Sequence, residues 1–338
     1  MSKRVLSHLA HVELLTPKLD ESAAFFTGTL GLVETARADN SVYLRCWGEF
    51  YHHSVVLTAA KQPALGHAAW RSEGPDELVE AVSRIEASGI RGEWRDASIG
   101  HGRAYRFRGP GGHSHEVFWE VERYTAPAEL RSTFPERPQR MMSRGIAPRQ
   151  LDHVTVSTKD VRKTALWYRD ILGFRFMGFT CLDHNPEIVV FGVVTTNEKS
   201  HDLGLGVDFS DLPGRFHHLA FWVESHDELL RSASVLLESG TPIEFGPGRH
   251  GIGEQGYLYF REPGGLRLEL NTGGYRNYVP DWQPVIWRSS QGSNVMYRNL
   301  EPPNAFLEAF PPAPIPAVPE LGMQPVTAAV ANPAAKRG

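Results

Sequence analysis

Residues 151–157 read LDHVTVS and residues 9–15 read LAHVELL, so two similar segments begin 142 residues apart. Both alternate apolar and other residues around a histidine, a pattern typical of a half-buried β-strand. An amphipathic helix pattern follows each segment, and a glycine suited to end that helix, Gly31 or Gly173, stands 20 residues after each histidine. Each half of the chain is therefore predicted to begin with the same strand–helix unit.

The later part of each half is repeated as well. His67 and His218 each lie nine residues before an aspartate that opens a second helix pattern. Further on, FRGPGG at 107–112 matches FREPGG at 260–265, and both indicate a strand, a Pro-Gly-Gly turn and a closing strand. The closing strands each carry a glutamate, Glu116 and Glu269. Such a repeat indicates a duplicated domain.

Within each half the order of strand, helix and strands occurs twice. We therefore predict an α+β fold with two domains, in which tandem βαβββ modules form curled mixed sheets around a cavity. The predicted boundaries are 1–130 for the N-terminal domain, 131–148 for a linker, 149–300 for the C-terminal domain and 301–338 for a Pro- and Ala-rich tail.

Composition excludes several classes of protein. The net charge is −4 and no basic stripe alternates with aromatic residues, so we expect no nucleic-acid partner. No apolar run approaches the roughly 20 residues of a membrane span, and MSKRVLSH at the start lacks the apolar core of a signal peptide. Cys46 and Cys181 are expected to be reduced thiols in the core of a cytoplasmic protein.

The most specific stretch of the chain lies in the second half. It reads GRH at 248–250, LY at 258–259, EPG at 262–264 and then Glu269. In this succession the chain resembles the type I extradiol ring-cleavage dioxygenases of the vicinal-oxygen-chelate superfamily, and most closely their catechol 2,3-dioxygenase branch. The resemblance covers about residues 5–290. It implies the two-domain fold of that superfamily, a metal in the cavity of the C-terminal domain, a non-catalytic N-terminal domain and a homotetramer.

The resemblance also implies the metal ligands. His153 in LDHV, His218 in RFHHL and Glu269 match the family's two histidines and its carboxylate. Two imidazoles and one carboxylate leave coordination positions open, an arrangement suited to Fe(II), and Mn(II) can replace it because these ligands separate the two ions weakly. A lone buried histidine more often only packs and hydrogen-bonds, but three such residues at equivalent strand positions favour a metal site.

Three further residues match catalytic positions of the family. The resemblance implies that His201 is an acid–base group beside the O2 position, and an imidazole titrates in the range that this role requires. His250 and Tyr259 match residues that hydrogen-bond one oxygen of a catechol. By strand alternation, His217 is expected to point away from His218 and to have a structural role.

The first half carries His11, His67 and Glu116 at the corresponding places. We expect this trio to be a structural relic of the duplication. Arg106 stands where the second half has Tyr259, and a guanidinium offers no phenol and repels a cation. Metal sites also need suitable residues around their ligands.

Together these features predict Fe(II)-dependent extradiol cleavage of a catechol by O2. The expected product is of the 2-hydroxymuconic semialdehyde type, and the partners are a small aromatic diol and O2. Alternatives on the same fold are a glyoxalase-like isomerase, a 4-hydroxyphenylpyruvate dioxygenase-like enzyme and a metal-free ligand-binding protein. The pair of His250 and Tyr259 argues against the first two, and the complete ligand set argues against the third.

Overall fold

Two mixed β-sheets, one in each half of the chain, form the framework of the computed structural model, which describes residues 3–293 and 302–313. Most of the predicted tail, residues 314–338, lies outside the described residues. The domain boundaries given above remain predictions.

The first half begins with a strand and a helix, as its sequence pattern predicts. Its elements are β1 (Leu6–Thr16), α1 (Leu19–Gly28), β2 (Val33–Ala38), β3 (Ser41–Arg45), β4 (Val55–Ala59), β5 (Ala64–Ser72), α2 (Pro75–Ala87), β6 (Gly92–Arg95), β7 (Ala104–Arg108) and β8 (Ser114–Phe118). A short 3-10 helix, Ala128–Leu130, follows.

The second half repeats this order and adds one strand. Its elements are β9 (Gln150–Thr158), α3 (Val161–Leu172), β10 (Arg175–Cys181), β11 (Val189–Thr195), β12 (Leu203–Val207), β13 (Phe216–Trp222), α4 (His226–Glu238), β14 (Ile243–Arg249), β15 (Gln255–Arg261), β16 (Arg267–Gly273) and β17 (Val285–Arg288). Two 3-10 helices, Ser289–Gln291 and Asn304–Leu307, come last.

The two sheets have the same topology. The strand order is β2-β3-β4-β1-β5-β8-β7-β6 in the first and β14-β15-β16-β13-β9-β12-β11-β10-β17 in the second. Read from the other end, the second order equals the first with β17 added beside β10. The fold predicted from the sequence repeat is therefore confirmed, and both sheets are mixed and open.

Strand register aligns the two halves residue by residue. In the first sheet Ala69 pairs with both His11 and Glu116. In the second sheet Ala220 pairs with both His153 and Glu269. The remaining histidine of each half stands two residues before that alanine, so its side chain points to the same face of the sheet.

One helix ends earlier than predicted. Gly173 has φ 74° and caps the end of α3, as expected for a glycine in the left-handed region. The prediction that Gly31 ends α1 is wrong, because α1 stops at Gly28 with Thr29 as its C-cap. The left-handed turn at Gly31, φ 78°, instead brings the chain against the backbone of Arg144.

The core continues from one half into the other. Phe26 of α1 packs edge-on against Phe221, with ring centroids 6.2 Å apart. A helix of the second half likewise contacts the first sheet, because the Tyr168 hydroxyl of α3 lies 2.7 Å from His115 Nε2 on β8. Both thiols, Cys46 and Cys181, are buried and unbridged, as predicted. No helix in the described ranges has the length and apolar character needed to cross a membrane.

Candidate metal centre

Three strands bring two imidazoles and a carboxylate together inside the second sheet. His153 lies on β9, His218 on β13 and Glu269 on β16, and they are only 2%, 4% and 1% exposed. The two Nε2 atoms are 3.1 Å apart. Glu269 Oε2 lies 3.2 Å from Nε2 of His153 and 2.9 Å from Nε2 of His218. These separations suit three ligand atoms bound about 2.1 Å from one ion, which lie roughly 3.0–3.4 Å apart.

The second nitrogen of His153 is bound to a carboxylate that sequence reasoning did not single out. His153 Nδ1 lies 2.8 Å from Asp152 Oδ2, so its proton is donated there and Nε2 is the nitrogen that faces the cavity. Asp152 also accepts a hydrogen bond of 2.7 Å from the Asn271 amide. The partly buried ammonium of Lys199 joins Asp152 to Asp202, at 3.3 Å and 2.9 Å.

His218 is oriented through its neighbour. His217 Nε2 donates to the Phe306 carbonyl at 2.7 Å, so His217 Nδ1 accepts a proton from His218 Nδ1 at 2.6 Å. This leaves the Nε2 lone pair of His218 free to bind a metal. The expectation that His217 points away from His218 is wrong, because a bulge between Phe216 and His218 makes His217 an extra residue in β13.

The electrostatics of the trio favour a cation. Burial opposes ionisation of Glu269, but the two imidazoles beside it hold the pKa of its carboxyl well below the usual range. Burial lowers the pKa of His218 to about 4, against the opposing effect of Glu269. At neutral pH a carboxylate therefore faces the neutral imidazole of His218. Burial opposes protonation of His153, but its hydrogen bonds to Asp152 and Glu269 raise its pKa to about 9, so metal binding there displaces a proton.

His250 and Tyr259 meet at the edge of the trio, as their sequence positions suggest. Tyr259 pairs in register with Glu269 across β15 and β16. The Tyr259 hydroxyl lies 3.0 Å from His250 Nε2, which is 3.9 Å from Glu269 Oε1. Burial, together with the charge of Glu269, raises the pKa of Tyr259 well above its ordinary value, so the phenol keeps its proton. His250 also stacks on Tyr257, at 4.1 Å between ring centroids.

His201 lies on the other side of the trio, two residues before β12 begins. Its ring centroid is 4.1 Å from that of His153, and the Ser200 hydroxyl lies 2.9 Å from its Nδ1. Burial, reinforced by the charge of His153, lowers the pKa of His201 well below its usual value. A neutral imidazole here can accept a proton.

A cavity of about 310 Å³ joins these residues. Beyond the trio its wall is mainly apolar, including Val190, Phe191, Ile252, Phe306 and Leu307. The 3-10 helix Asn304–Leu307 closes one side, where the Phe306 ring meets Tyr259 edge-on at 4.6 Å. The cavity can therefore enclose a small aromatic ring next to the ligand atoms.

A family model, the glyoxalase/bleomycin resistance protein/dioxygenase superfamily, matches residues 8–117 and 150–270. The chain is 36% identical over 290 residues to a manganese-dependent 2,3-dihydroxybiphenyl 1,2-dioxygenase of Geobacillus genomosp. 3, covering 85% of this chain and 91% of that protein. It is 37% identical over 283 residues to a metapyrocatechase of Geobacillus stearothermophilus, covering 83% and 86%. The chain belongs to the extradiol dioxygenases of this superfamily.

Solved structures of extradiol dioxygenases agree with this assignment. Homoprotocatechuate 2,3-dioxygenase from Brevibacterium fuscum, in an anaerobic complex with 3,4-dihydroxyphenylacetate, superposes with a TM-score of 0.79 and 27% identity. That match covers 91% of this chain and 94% of the other. The resemblance inferred from the signature motif is therefore confirmed.

The trio of this extradiol dioxygenase fits the metal that its family implies. Glu269 Oε2 is buried and has no hydrogen-bond partner within the described residues, although ring nitrogens surround it. Burial of a carboxylate oxygen without a hydrogen-bond partner lowers the stability of the fold unless another group binds that oxygen. Two imidazole nitrogens and this oxygen form a donor set suited to Fe(II) or Mn(II).

Proposed function

We propose that this extradiol dioxygenase binds Fe(II) through His153, His218 and Glu269 and cleaves a catechol by O2. The single observation that supports this most is the convergence of the three ligand atoms at one end of an apolar cavity of about 310 Å³. Cleavage of the ring bond beside the diol adds both oxygen atoms to a 2-hydroxymuconic semialdehyde-type product. The reaction therefore needs no external reductant.

The bound ion would hold the diol and O2 side by side and pass electron density between them. The residues of the chain then have separate tasks. Tyr259 and His250 bind one oxygen of the diol, and the His250 imidazole takes up a proton released there. We assign to His201 the transfer of a proton on the opposite side of the cavity. The apolar wall keeps water away from these charges.

We infer a preference for uncharged catechols. Within the described residues, the cavity wall contains no arginine and no lysine. A carboxylate on the ring would find no cationic partner among these described wall residues, and its desolvation would cost several kcal/mol. Catechol or an apolar 3-substituted catechol should have a higher kcat/KM than 3,4-dihydroxyphenylacetate.

Reconstitution tests the proposed activity. Metal-free protein is loaded anaerobically with Fe(II) or with Mn(II), which we keep as an alternative because one relative is named for manganese. A panel of catechols and then O2 are added, and the yellow ring-opened product and O2 uptake are recorded. We expect one O2 consumed per product. Absence of product with both ions would rule out the proposal.

Two variants separate metal binding from proton transfer. Glu269→Ala removes the carboxylate and should lose the ion, as measured by iron content after purification. His201→Phe should keep the ion but lose turnover, since a phenyl ring fills the same space without a basic nitrogen. Normal turnover of His201→Phe would contradict the proton-transfer role.

The assembly and location of the protein also belong to this proposal. We propose a homotetramer, as the extradiol resemblance implies, and a cytoplasmic location, which the two unbridged thiols favour. Light scattering coupled to size-exclusion chromatography measures the mass of the assembly directly. The mass of a monomer or a dimer would contradict the proposed tetramer.

A further inference from the structure

The first half carries a second set of converging ligand atoms. His11 Nε2 and His67 Nε2 are 3.2 Å apart, and Glu116 Oε2 lies 3.2 Å from His67 Nε2 and 4.0 Å from His11 Nε2. The three side chains are 3%, 5% and 2% exposed. We propose that His11, His67 and Glu116 bind a second divalent transition-metal ion, of the kind represented by Zn(II). This site is separate from the ring-cleaving centre.

A buried oxygen points to a ligand at this position. Glu116 Oε2 is buried and has no hydrogen-bond partner among the residues that the structure describes, which is also the condition of Glu269 Oε2 in the second half. Burial of a carboxylate oxygen without a partner is costly. The same unsatisfied atom at the same register position in both halves indicates the same type of occupant.

Arg106 does not block the proposed ion. Its Nε and Nη2 atoms lie 2.9 Å and 2.8 Å from Glu116 Oε1, and Nη2 also lies 3.4 Å from His67 Nδ1, the nitrogen that faces away from the trio. Glu116 Oε2 is left directed at the two histidines. The guanidinium therefore fixes the carboxylate so that a single oxygen faces the imidazoles. Glu13 and Glu116 together outweigh the charge of Arg106, so the surroundings keep a net negative charge for a cation.

Glu13 orients His67 for metal binding. Glu13 Oε2 lies 2.8 Å from His67 Nδ1, so the proton of that nitrogen is donated to the carboxylate. Nε2, which faces His11 and Glu116, then carries the lone pair that a metal needs. A carboxylate behind a ligating histidine is a common arrangement around metal sites, and in the second half Asp152 has this role for His153.

Two more histidines lie beside the first-half trio, and one of them stands at a position of the ring-cleaving centre. Val12 pairs with Val55 as Val154 pairs with Leu203, so His53, two residues before Val55, corresponds to His201. His101 lies in the loop before β7. Their rings lie 4.8 Å and 5.2 Å from that of His11. So many imidazoles favour Zn(II)-like ions over Mg²⁺ or Ca²⁺, which prefer oxygen ligands.

The first-half site is not a second ring-cleaving centre. Arg106 replaces Tyr259, so the phenol that stands in register with the glutamate in the second half has no counterpart on β7. A cavity of about 370 Å³ nevertheless reaches the trio and includes His53 and His101 in its wall, so an ion can enter from solvent.

Metal stoichiometry with matched variants tests the proposal. Glu116→Gln and Glu269→Gln remove the same charge with the same shape from the two halves. Full-length wild type, both single variants and the double variant are saturated with Zn(II), desalted and analysed by mass spectrometry of the metal. We expect two ions per chain in wild type, one in each single variant and none in the double variant.

Two outcomes would overturn the second site. They are no ion in Glu269→Gln, or as many ions in Glu116→Gln as in wild type. Two ions in Glu269→Gln would instead contradict the proposed ring-cleaving centre, so the two failures are distinguishable. His184→Ala, at an exposed histidine, should keep both ions and controls for surface binding.

Two further measurements distinguish the loss of a metal site from misfolding of a variant. Melting temperatures of the metal-free variants show whether Glu116→Gln has folded, and His11→Ala is a second variant of the same site. Co(II) loaded into Glu269→Gln should give visible absorption bands of a nitrogen- and oxygen-bound ion. The bands should be absent from the double variant that carries both Glu269→Gln and His11→Ala. Their persistence in that variant would overturn the assignment of the ion to His11, His67 and Glu116.

Discussion

Each of the two imidazoles that we propose as metal ligands is held by a hydrogen bond on its far side. His153 donates to Asp152 and His218 donates to His217, which is itself bound to the Phe306 carbonyl. Both Nε2 atoms thereby point to the same small volume. Such preorganisation strengthens metal binding because the ligands need no reorientation.

Asp152→Asn tests the partner of His153. The amide keeps the shape but loses the negative charge, so we expect metal affinity to fall about 10- to 100-fold. Competition with a chromophoric chelator measures this change. Asp281→Asn, at an exposed aspartate, is the control and should bind metal as wild type does. Equal affinity of the two variants would mean that Asp152 does not orient the ligand.

Tyr259→Phe tests the phenol beside His250. The variant removes one hydrogen-bond donor to a charged oxygen, worth about 1.5–3 kcal/mol, so kcat/KM should fall roughly 10- to 100-fold. Metal content should not change, because the phenol is not a ligand. Tyr278→Phe, at a tyrosine that is 77% exposed, is the matched control. Loss of metal from Tyr259→Phe would show a structural role instead.

At the level of single residues, the sequence predicted those side chains that a linear motif contains. Tyr259 on β15 stands opposite Glu269 on β16, and His250 lies in the turn between β14 and β15, so their meeting follows from the register of these antiparallel strands. Lys199 was not predicted, because it reaches Asp152 from a loop 47 residues further along the chain. Contacts of that kind depend on tertiary packing, which no local pattern encodes.

At the scale of helices and strands, the regular alternation of side chains along a strand was predictable from the sequence, whereas its interruption by a bulge was not. The bulge at His217 adds one residue to β13 and turns an expected outward side chain into a partner of His218. The 3-10 helix Asn304–Leu307 lies in a Pro- and Ala-rich region that the sequence indicates only as a tail. It nevertheless packs on the cavity, where Arg267 donates to the Ala305 carbonyl at 2.7 Å.

Phe306→Ala tests the 3-10 helix as a wall of the cavity. Loss of the ring removes roughly 1.5 kcal/mol of apolar contact, so KM for catechol should rise about tenfold. The larger cavity should also improve kcat/KM for a diol with an aryl substituent relative to catechol itself. Phe209→Ala, at a phenylalanine that is 71% exposed, should have wild-type kinetics. An unchanged substrate preference would show that this helix does not limit the cavity.

At the scale of the whole molecule, the two halves are similar in topology but not independent in packing. The Ser22 hydroxyl of α1 donates to Glu262 in the second-half turn at 2.6 Å, and Trp70 meets Phe174 edge-on at 5.1 Å. One apolar cluster runs from Val5 to Phe310 through both sheets. The duplication was evident in the sequence, but these contacts between the halves were not, because an amphipathic pattern shows which face of a helix is buried and not which residues of the other half it meets.

Phe26→Ala tests whether the halves fold as one unit. Phe26 is fully buried against Phe221, so its truncation should lower the free energy of unfolding by about 3–5 kcal/mol. Because the core is shared, one urea transition should shift as a whole, with fluorescence and loss of bound metal changing together. Phe134→Ala, at a ring that is 61% exposed, should leave the midpoint unchanged. Separate transitions, in which only the first half loses stability, would show that α1 does not support the metal centre across the boundary.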